Sequence, residues 1–222
     1  MTDTKRFVEV IEKDEAISSY NTSMKKDLKE RLIQTMFESL YHEGYSASNL
    51  NALLKKAGTS KGGLYHHYGS KKELALETIE IVLGAFIEEF WKPALEHKEN
   101  PIDAIEELLG ALPGANITEK AVFDFQYGCP LNNLIQEMSG LDEDFSRVLN
   151  TLFERWTDHI ALALEDAVKR GVLQEALDVK VVSEFITASI EGCLSMAKVR
   201  RCEESYKRCT RSLIGFLRTK EV

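Results

Sequence analysis

The sequence predicts an all-α fold in two domains, a small N-terminal three-helix domain of the helix-turn-helix type and a larger helical domain after it. Apolar residues recur at helical spacing along most of the 222 residues. The period-two alternation of a half-buried strand is confined to one short stretch. Glycines and prolines stand where the periodic segments stop, as helix ends require. A chain of this length can bury a core in each domain.

Charge is distributed unevenly between the two predicted domains. The whole chain has a net charge of −8, which taken alone argues against a nucleic-acid partner. Residues 25–72, however, contain nine Lys and Arg against four Asp and Glu, whereas residues 73–222 contain sixteen against twenty-seven. A basic N-terminal domain followed by an acidic domain is typical of a protein that contacts phosphate through the basic domain alone.

The head, residues 25–72, begins with a helix predicted over 26–43. Gly44 ends it, because glycine readily adopts the left-handed conformation of a helix stop. The apolar row of this helix is Leu28, Leu32, Met36 and Leu40. Residues 1–24 form an extension, interpreted as a packed or frayed segment. The alternative is a minor-groove arm that uses Lys5 and Arg6, but the acidic residues around it would repel phosphates.

Residues 48–67 predict two short helices joined by a tight glycine turn. Ser48 is the expected N-cap of the first helix, and Gly58 ends it. Ser60 caps the second helix, in which Leu64 faces inward. The outward face is basic and aromatic. Such a pair is a helix-turn-helix motif, whose second helix enters the DNA major groove by its N-terminal residues.

The same stretch resembles the DNA-binding domain of the TetR family of bacterial transcriptional regulators. The matching residues are Ser48, Leu50, Leu53, Ala57, Gly58, Ser60, Leu64, Tyr65, His66, His67, Tyr68, Ser70 and Lys71. The resemblance implies a homodimeric repressor that binds double-stranded DNA at a near-palindromic operator. It also implies release by a small-molecule effector bound in the second domain. The candidate DNA contacts are Ser48, Ser60, Lys61, Gly62, Gly63, Tyr65, His66 and Lys71.

Three of these candidates need a physical reason. Gly62 and Gly63 each cost a helix roughly 1 kcal/mol relative to alanine. Close approach of the backbone to DNA would explain them, and sequence drift is the alternative. Lys71 stands beside the free N–H groups of a helix N-terminus, where it can hold a phosphate. A helical module that binds an acidic protein remains the alternative to DNA binding for the whole basic face.

A helix from Lys71 to about Phe90 is predicted to link the head to the second domain, residues 73–222. It is apolar on two sides, and Pro93 marks its end or a kink. Between Ile117 and Gly128 aromatic residues alternate, a stretch interpreted as a loop or irregular helix that lines a pocket. Further helices are predicted over residues 101–112, 130–138, 142–170, 178–200 and 203–219.

The second domain is predicted to bind an apolar or aromatic effector. Candidate pocket residues are Phe86, Phe90, Phe123, Phe125, Tyr127, Cys129, Trp156 and Met196, although core packing explains aromatic residues equally well. Cys129 supports a rival hypothesis, a repressor that senses oxidants or electrophiles. It precedes the proline that starts a helix, and a helix N-terminus can lower the pKa of a thiol. A small residue packed at the turn is the simpler explanation.

No catalytic constellation, metal-ligand set or cofactor motif is apparent in the sequence, so we predict neither an enzyme nor a bound cofactor. The four cysteines are interpreted as reduced thiols, with Cys193 and Cys209 buried as small hydrophobic residues. The absence of a membrane-spanning run and of a leader leads us to expect a cytoplasmic protein. The last two helices, which offer small residues such as Gly192, are expected to form the dimer.

Overall fold

The computed structural model describes residues 28–96, 98–119 and 121–222, and its architecture is almost entirely helical. The predicted all-α fold is confirmed. The extension at residues 1–24, and with it the hypothesis of an arm using Lys5 and Arg6, lies outside the described residues.

Three helices form the head. α1 covers residues 28–43, α2 spans Leu50–Lys56 and α3 spans Lys61–His67. Gly44 and Gly58 have φ angles of +83° and +68°, so both predicted helix stops adopt the left-handed conformation. The three helices share a buried core that consists of Leu32, Met36, Phe37, Leu40, Leu53, Leu54, Leu64 and Tyr68.

The linking helix is regular near the head and wider farther along. α4 spans Lys71–Phe86, continues as a π-helical turn over Ile87–Trp91, and ends with α5, Lys92–Leu95. In the turn, the Lys92 N–H bonds to the carbonyl of Ile87, five residues back. Pro93 explains the irregularity, because proline has no N–H to give to the carbonyl four residues before it. The predicted kink is therefore a wide turn.

The second domain packs its helices around α8, with a small hairpin in place of the predicted irregular segment. The hairpin is antiparallel and pairs Asn116 with Val122 and Thr118 with Ala121. The interpretation of residues 117–128 as loop or irregular helix is thus wrong for their first part. The elements are α6 Pro101–Ala111, β1 Asn116–Thr118, β2 Ala121–Val122, α7 Pro130–Met138, α8 Glu143–Lys169, α9 Val179–Arg200 and α10 Glu203–Arg218.

α9 and α10 are joined covalently. Cys193 of α9 and Cys209 of α10 form a disulfide, and their Cα atoms are 5.4 Å apart. The prediction of four reduced thiols is wrong for this pair, because antiparallel packing of the two helices brings together cysteines that are 16 residues apart. Cys129 and Cys202 are free. None of the helices in the described ranges is long and apolar enough to cross a membrane.

Candidate DNA interface and effector cavity

The outer face of α3 presents Lys61, Tyr65 and His66 to solvent. Tyr65 is 56% exposed, whereas the neighbouring Leu64 is fully buried and anchors the helix in the head. Ser60 caps α3 as predicted, since its Oγ accepts the N–H of Gly63 at 3.4 Å. One helical turn therefore exposes an ammonium, a phenol and an imidazole, groups that bind phosphates and base edges.

The two glycines of α3 differ in their surroundings. A Cβ at Gly63 would overlap the hydroxyl of Thr59, so packing inside the head favours glycine there and any larger residue would force Thr59 to another rotamer. A Cβ at Gly62 would meet only Ser60 Oγ at 3.7 Å, an ordinary contact. Close approach to DNA is thus not needed to explain Gly63, while it stays the prediction for Gly62.

Ser48 is not the cap of α2, so that prediction is wrong, and its burial gives no support to the predicted contact with DNA. The N-cap is the next residue, Asn49, whose side chain accepts the N–H of Ala52 at 3.1 Å. Ser48 is buried, donates its hydroxyl to the carbonyl of Gly44 and accepts a hydrogen bond from Ser39 at 2.9 Å. Its role is to hold the turn between α1 and α2.

Lys71 is turned inward as well, so its ammonium is already bonded within the head, and the phosphate contact stays a prediction. Its Nζ donates to the carbonyls of Tyr45 at 2.6 Å and Ser48 at 2.7 Å. The ammonium also lies 4.3 Å from the centroid of the Tyr45 ring. Burial lowers the pKa of Lys71, partly opposed by the charge of Glu137. Lys71 therefore fastens the start of α4 to the α1–α2 turn.

α7 holds the same turn from the other side through Glu137. The Glu137 carboxylate accepts the N–H of Tyr45 at 2.9 Å and the N–H of Ser46 at 2.7 Å. Burial alone would raise the pKa of Glu137, but these hydrogen bonds and the charge of Lys71 together hold it below its ordinary value. Two side chains of opposite charge, Lys71 from α4 and Glu137 from α7, thus hold the α1–α2 turn.

A small cavity lies in the second domain between α4, α7, α8 and α9. Its volume is about 40 Å³, enough for a few water molecules. It is nearly all apolar and is lined by Leu83, Phe86, Ile87, Trp91, Leu112, Phe123, Cys129, Pro130, Leu131, Trp156, Ile190, Glu191 and Leu194. Of the predicted pocket residues, four are present: Phe86, Phe123, Cys129 and Trp156.

The other four predicted pocket residues do not line this cavity: Phe90, Phe125, Tyr127 and the exposed Met196. Phe125 packs against Tyr206 of α10, with ring centroids 4.8 Å apart. Tyr127 packs against His42 of α1 at 4.4 Å and so belongs to the contact between the domains. An aromatic residue in a sequence predicts a buried side chain. It does not predict whether that side chain packs against others or lines a cavity.

Glu191 is the cavity residue that sequence reasoning missed. It is only 7% exposed, and neither carboxylate oxygen forms a hydrogen bond of good geometry with a described residue. The Cys129 thiol and the Asn132 side chain are its nearest polar neighbours. Burial raises its pKa to about 7, against smaller opposing effects of Cys129 and Asn132. Its spacing in the sequence could have indicated burial. Glu191 lies four residues after Thr187 and three before Leu194, on the same face of α9, and both of these residues are buried.

Cys129 lies at the start of α7, as predicted, but its pKa moves in the direction opposite to the prediction. Dense surroundings desolvate the thiol and raise its pKa, and the charge of Glu191 raises it further. The N–H groups of Asn132 and Leu131 offset only part of this effect. The thiolate needed to react with oxidants or electrophiles is therefore disfavoured at neutral pH.

An exposed α3 supported by α1 and α2 defines a helix-turn-helix DNA-binding protein. Family models give the same assignment. Residues 32–78 match the model for bacterial regulatory proteins of the tetR family, and residues 109–213 match the tetracyclin repressor-like C-terminal domain. The chain belongs to the TetR family and is a DNA-binding transcriptional regulator.

Individual relatives are regulators too. The chain is 29% identical over 174 residues to an uncharacterized HTH-type transcriptional regulator in the lacX 3′ region of Lactococcus lactis, covering 78% of this chain and 85% of the relative. It is 21% identical over 184 residues to the HTH-type transcriptional repressor DhaR of a Mycobacterium species, with coverages of 80% and 85%. The structure of a regulatory protein TetR from Rhodobacter sphaeroides superimposes with a TM-score of 0.70 at 26% identity, covering 83% and 96%. These similarities indicate a regulator rather than an enzyme.

Proposed function

We propose that the chain is a repressor whose homodimer binds a near-palindromic operator through α3 and leaves it when a small effector enters the second domain. The exposed face of α3, with Lys61, Tyr65 and His66 on a helix fixed by the buried Leu64, carries this proposal. The printed name of one relative, the repressor DhaR, supports the sign of regulation.

On DNA, we assign Lys61 to a backbone phosphate and Tyr65 and His66 to phosphates or base edges. Ser60 and Gly62 stand at the N-terminal end of α3, where the backbone approaches the groove. The positive balance of residues 25–72 supplies the attraction to phosphate. A phosphate contact and a base contact are separable, since losing the first weakens all sequences alike.

Coupling between the cavity and the head runs along α4 and α7. α4 places Phe86 at the cavity and Lys71 at the α1–α2 turn, while α7 places Leu131 at the cavity and Glu137 at the same turn. Leu131 and Glu137 are six residues apart, about 9 Å along a helix. Both routes end on the turn that positions α2 and α3.

Because the cavity is small, a bound effector would displace the helices that line it. A volume of about 40 Å³ is far below what a drug-sized ligand fills, so an effector must push the walls apart. Displacement of α4 and α7 would change the separation of the two α3 helices in the dimer. To move the population from 1:99 to 99:1, the effector must favour the released state by about 5.5 kcal/mol.

We place the dimer contact on α9 and α10. Their outer faces expose Val181 and Phe185 of α9 and Phe216 of α10, which are 58%, 45% and 42% exposed. The rings of Phe185 and Phe216 lie 5.1 Å apart, so they form one continuous apolar patch. Exposed patches of this kind mark surfaces that another protein surface covers.

Selection of genomic DNA fragments at two salt concentrations, followed by sequencing, tests the proposal. We expect a near-palindromic site whose binding is lost with Tyr65→Ala and kept with Leu162→Ala, a control at an exposed position of α8. Lys61→Gln should weaken binding to all sites and reduce the salt slope by about one. No preferred sequence at either salt would contradict the repressor and favour a module that binds an acidic protein.

A further inference from the structure

We propose that the cavity binds its effector through a positively charged nitrogen, with Glu191 as the counter-ion, so that the effector is an apolar or aromatic amine. This inference rests on the proposed effector cavity and adds the chemical class of the ligand. It assigns to Glu191 the selection of that class.

The first observation is a buried carboxylate without a charged partner. Both oxygens of Glu191 are buried, and within the part of the chain that the structure describes neither forms a hydrogen bond of good geometry. An unpaired buried charge is costly, and native proteins seldom keep one without a reason. The next lysine on the same helix, Lys198, does not serve, because its Nζ is exposed and donates to Asn133 at 2.8 Å. The Cys129 thiol and the Asn132 side chain lie close to Glu191, but both are uncharged, and no cation of the described residues neutralises the carboxylate. A ligand can supply that cation.

The second observation is the chemistry of the remaining wall. Among the described residues that line the cavity, none is basic, so an anion would meet the Glu191 charge with no compensation. The indole rings of Trp91 and Trp156 lie side by side, with centroids 4.8 Å apart. Indole faces attract cations and replace part of their lost hydration. Phe86 and Leu194 then cover the apolar part of such a ligand.

Protonation of Glu191 gives the proposal a pH signature. The titratable groups that face Glu191 are the Cys129 thiol at the start of α7 and the Tyr206 phenol of α10. Burial raises the pKa of both, so both stay neutral near pH 7. Since burial raises the pKa of Glu191 to about 7, a bound cation must expel its proton at pH 6 but not at pH 8. Affinity for an amine should rise over this range, and affinity for an uncharged analogue should not.

The test uses the full chain and matched probes. A series of one-ring and two-ring arylalkyl amines, beginning with 2-phenylethylamine, is compared with the corresponding alcohols by calorimetry at pH 6 and pH 8. We expect each bound amine to bind at least tenfold more tightly than its alcohol at pH 8. Glu191→Gln should reduce that ratio to below threefold. Glu184→Gln, at an exposed glutamate two helical turns earlier on α9, should leave it unchanged.

Several results would overturn the inference. These are alcohols or matched arylalkyl carboxylates that bind as tightly as the amines, a preference that survives Glu191→Gln, or no binding by any amine in the series. Binding to the selected operator is measured in the same protein samples. If the operator still binds specifically, only the cation inference fails. If specific operator binding is itself absent, the proposed regulator fails instead.

Discussion

Replacing Glu191 by glutamine is expected to stabilise the protein at pH 8 and to have much less effect at pH 5. The reason is that the buried carboxyl is ionised at the higher pH and largely neutral at the lower one. Glutamine has nearly the same shape and cannot ionise. The perturbation therefore removes a charge from the cavity wall while leaving the packing of α9 intact.

The magnitude follows from the pKa. Burial raises the pKa of Glu191 from 4.5 to about 7, so the folded state holds the proton more tightly than the unfolded state. The neutral carboxyl therefore makes its full contribution to the free energy of unfolding below pH 4.5. That contribution declines as the pH rises and is lost above pH 7. At about 1.36 kcal/mol per pKa unit, the cost is on the order of 3 kcal/mol at pH 8 and below about 1 kcal/mol at pH 5. This corresponds to a gain in Tm of about 6–12 °C for the variant at pH 8.

Thermal unfolding followed by circular dichroism at the two pH values measures this difference. Glu184→Gln serves as the control, because that glutamate is exposed on the same helix. A buried amide also needs hydrogen bonds, and the comparison at pH 5 reports that cost separately. A stability difference that does not change between pH 5 and pH 8 would refute the argument that Glu191 is a buried carboxylate without a charged partner.

Three further predictions concern the head and the thiol. Gly44→Ala should lower Tm more than Gly58→Ala, because both glycines have positive φ but only at Gly44 would a Cβ clash, at 2.6 Å from Glu137; equal losses would contradict this. Glu137→Ala should speed hydrogen exchange of the Tyr45 amide at least tenfold, since bonds to a carboxylate are worth about 1.5–3 kcal/mol; unchanged protection would disprove the clamp. Iodoacetamide at pH 7 should modify Cys129 at least tenfold more slowly in the folded chain than after unfolding, whereas equal rates would restore the thiol-sensing hypothesis.

Features set by neighbouring residues were predictable from the sequence. The helix stops at Gly44 and Gly58 and the cap at Ser60 depend on local backbone conformation, and all three are confirmed. The cap of α2 was misplaced by one residue because Ser48 and Asn49 are both good caps. A hydrogen bond from Ser39 on α1 decides between them, and the sequence of α2 contains no trace of it.

Features set by packing between helices were not predictable. The sequence predicts Lys71 as a phosphate ligand. Only the folded α1–α2 turn places the carbonyls of Tyr45 and Ser48 within hydrogen-bonding distance of its Nζ. Cys193 and Cys209 each sit on an apolar stripe, and only the packing of α9 on α10 shows that they meet. The same limit applies to the cavity, since a void is a property of several helices together.

The wide turn after α4 divides the cavity wall into two mechanically different parts. Phe86 belongs to the regular helix that continues unbroken to Lys71 at the head, whereas Trp91 closes the π-helical turn. A displacement of Phe86 would move the regular helix α4 as a rigid unit. A displacement of Trp91 can instead be accommodated by a local change of the π-helical turn. If the proposed repressor is released by a cavity ligand, two ligands of equal affinity would then differ in effect. One that displaces Phe86 would release the DNA, and one that displaces only Trp91 would not. In the proposed repressor, occupancy of the cavity would therefore not by itself predict release of the DNA.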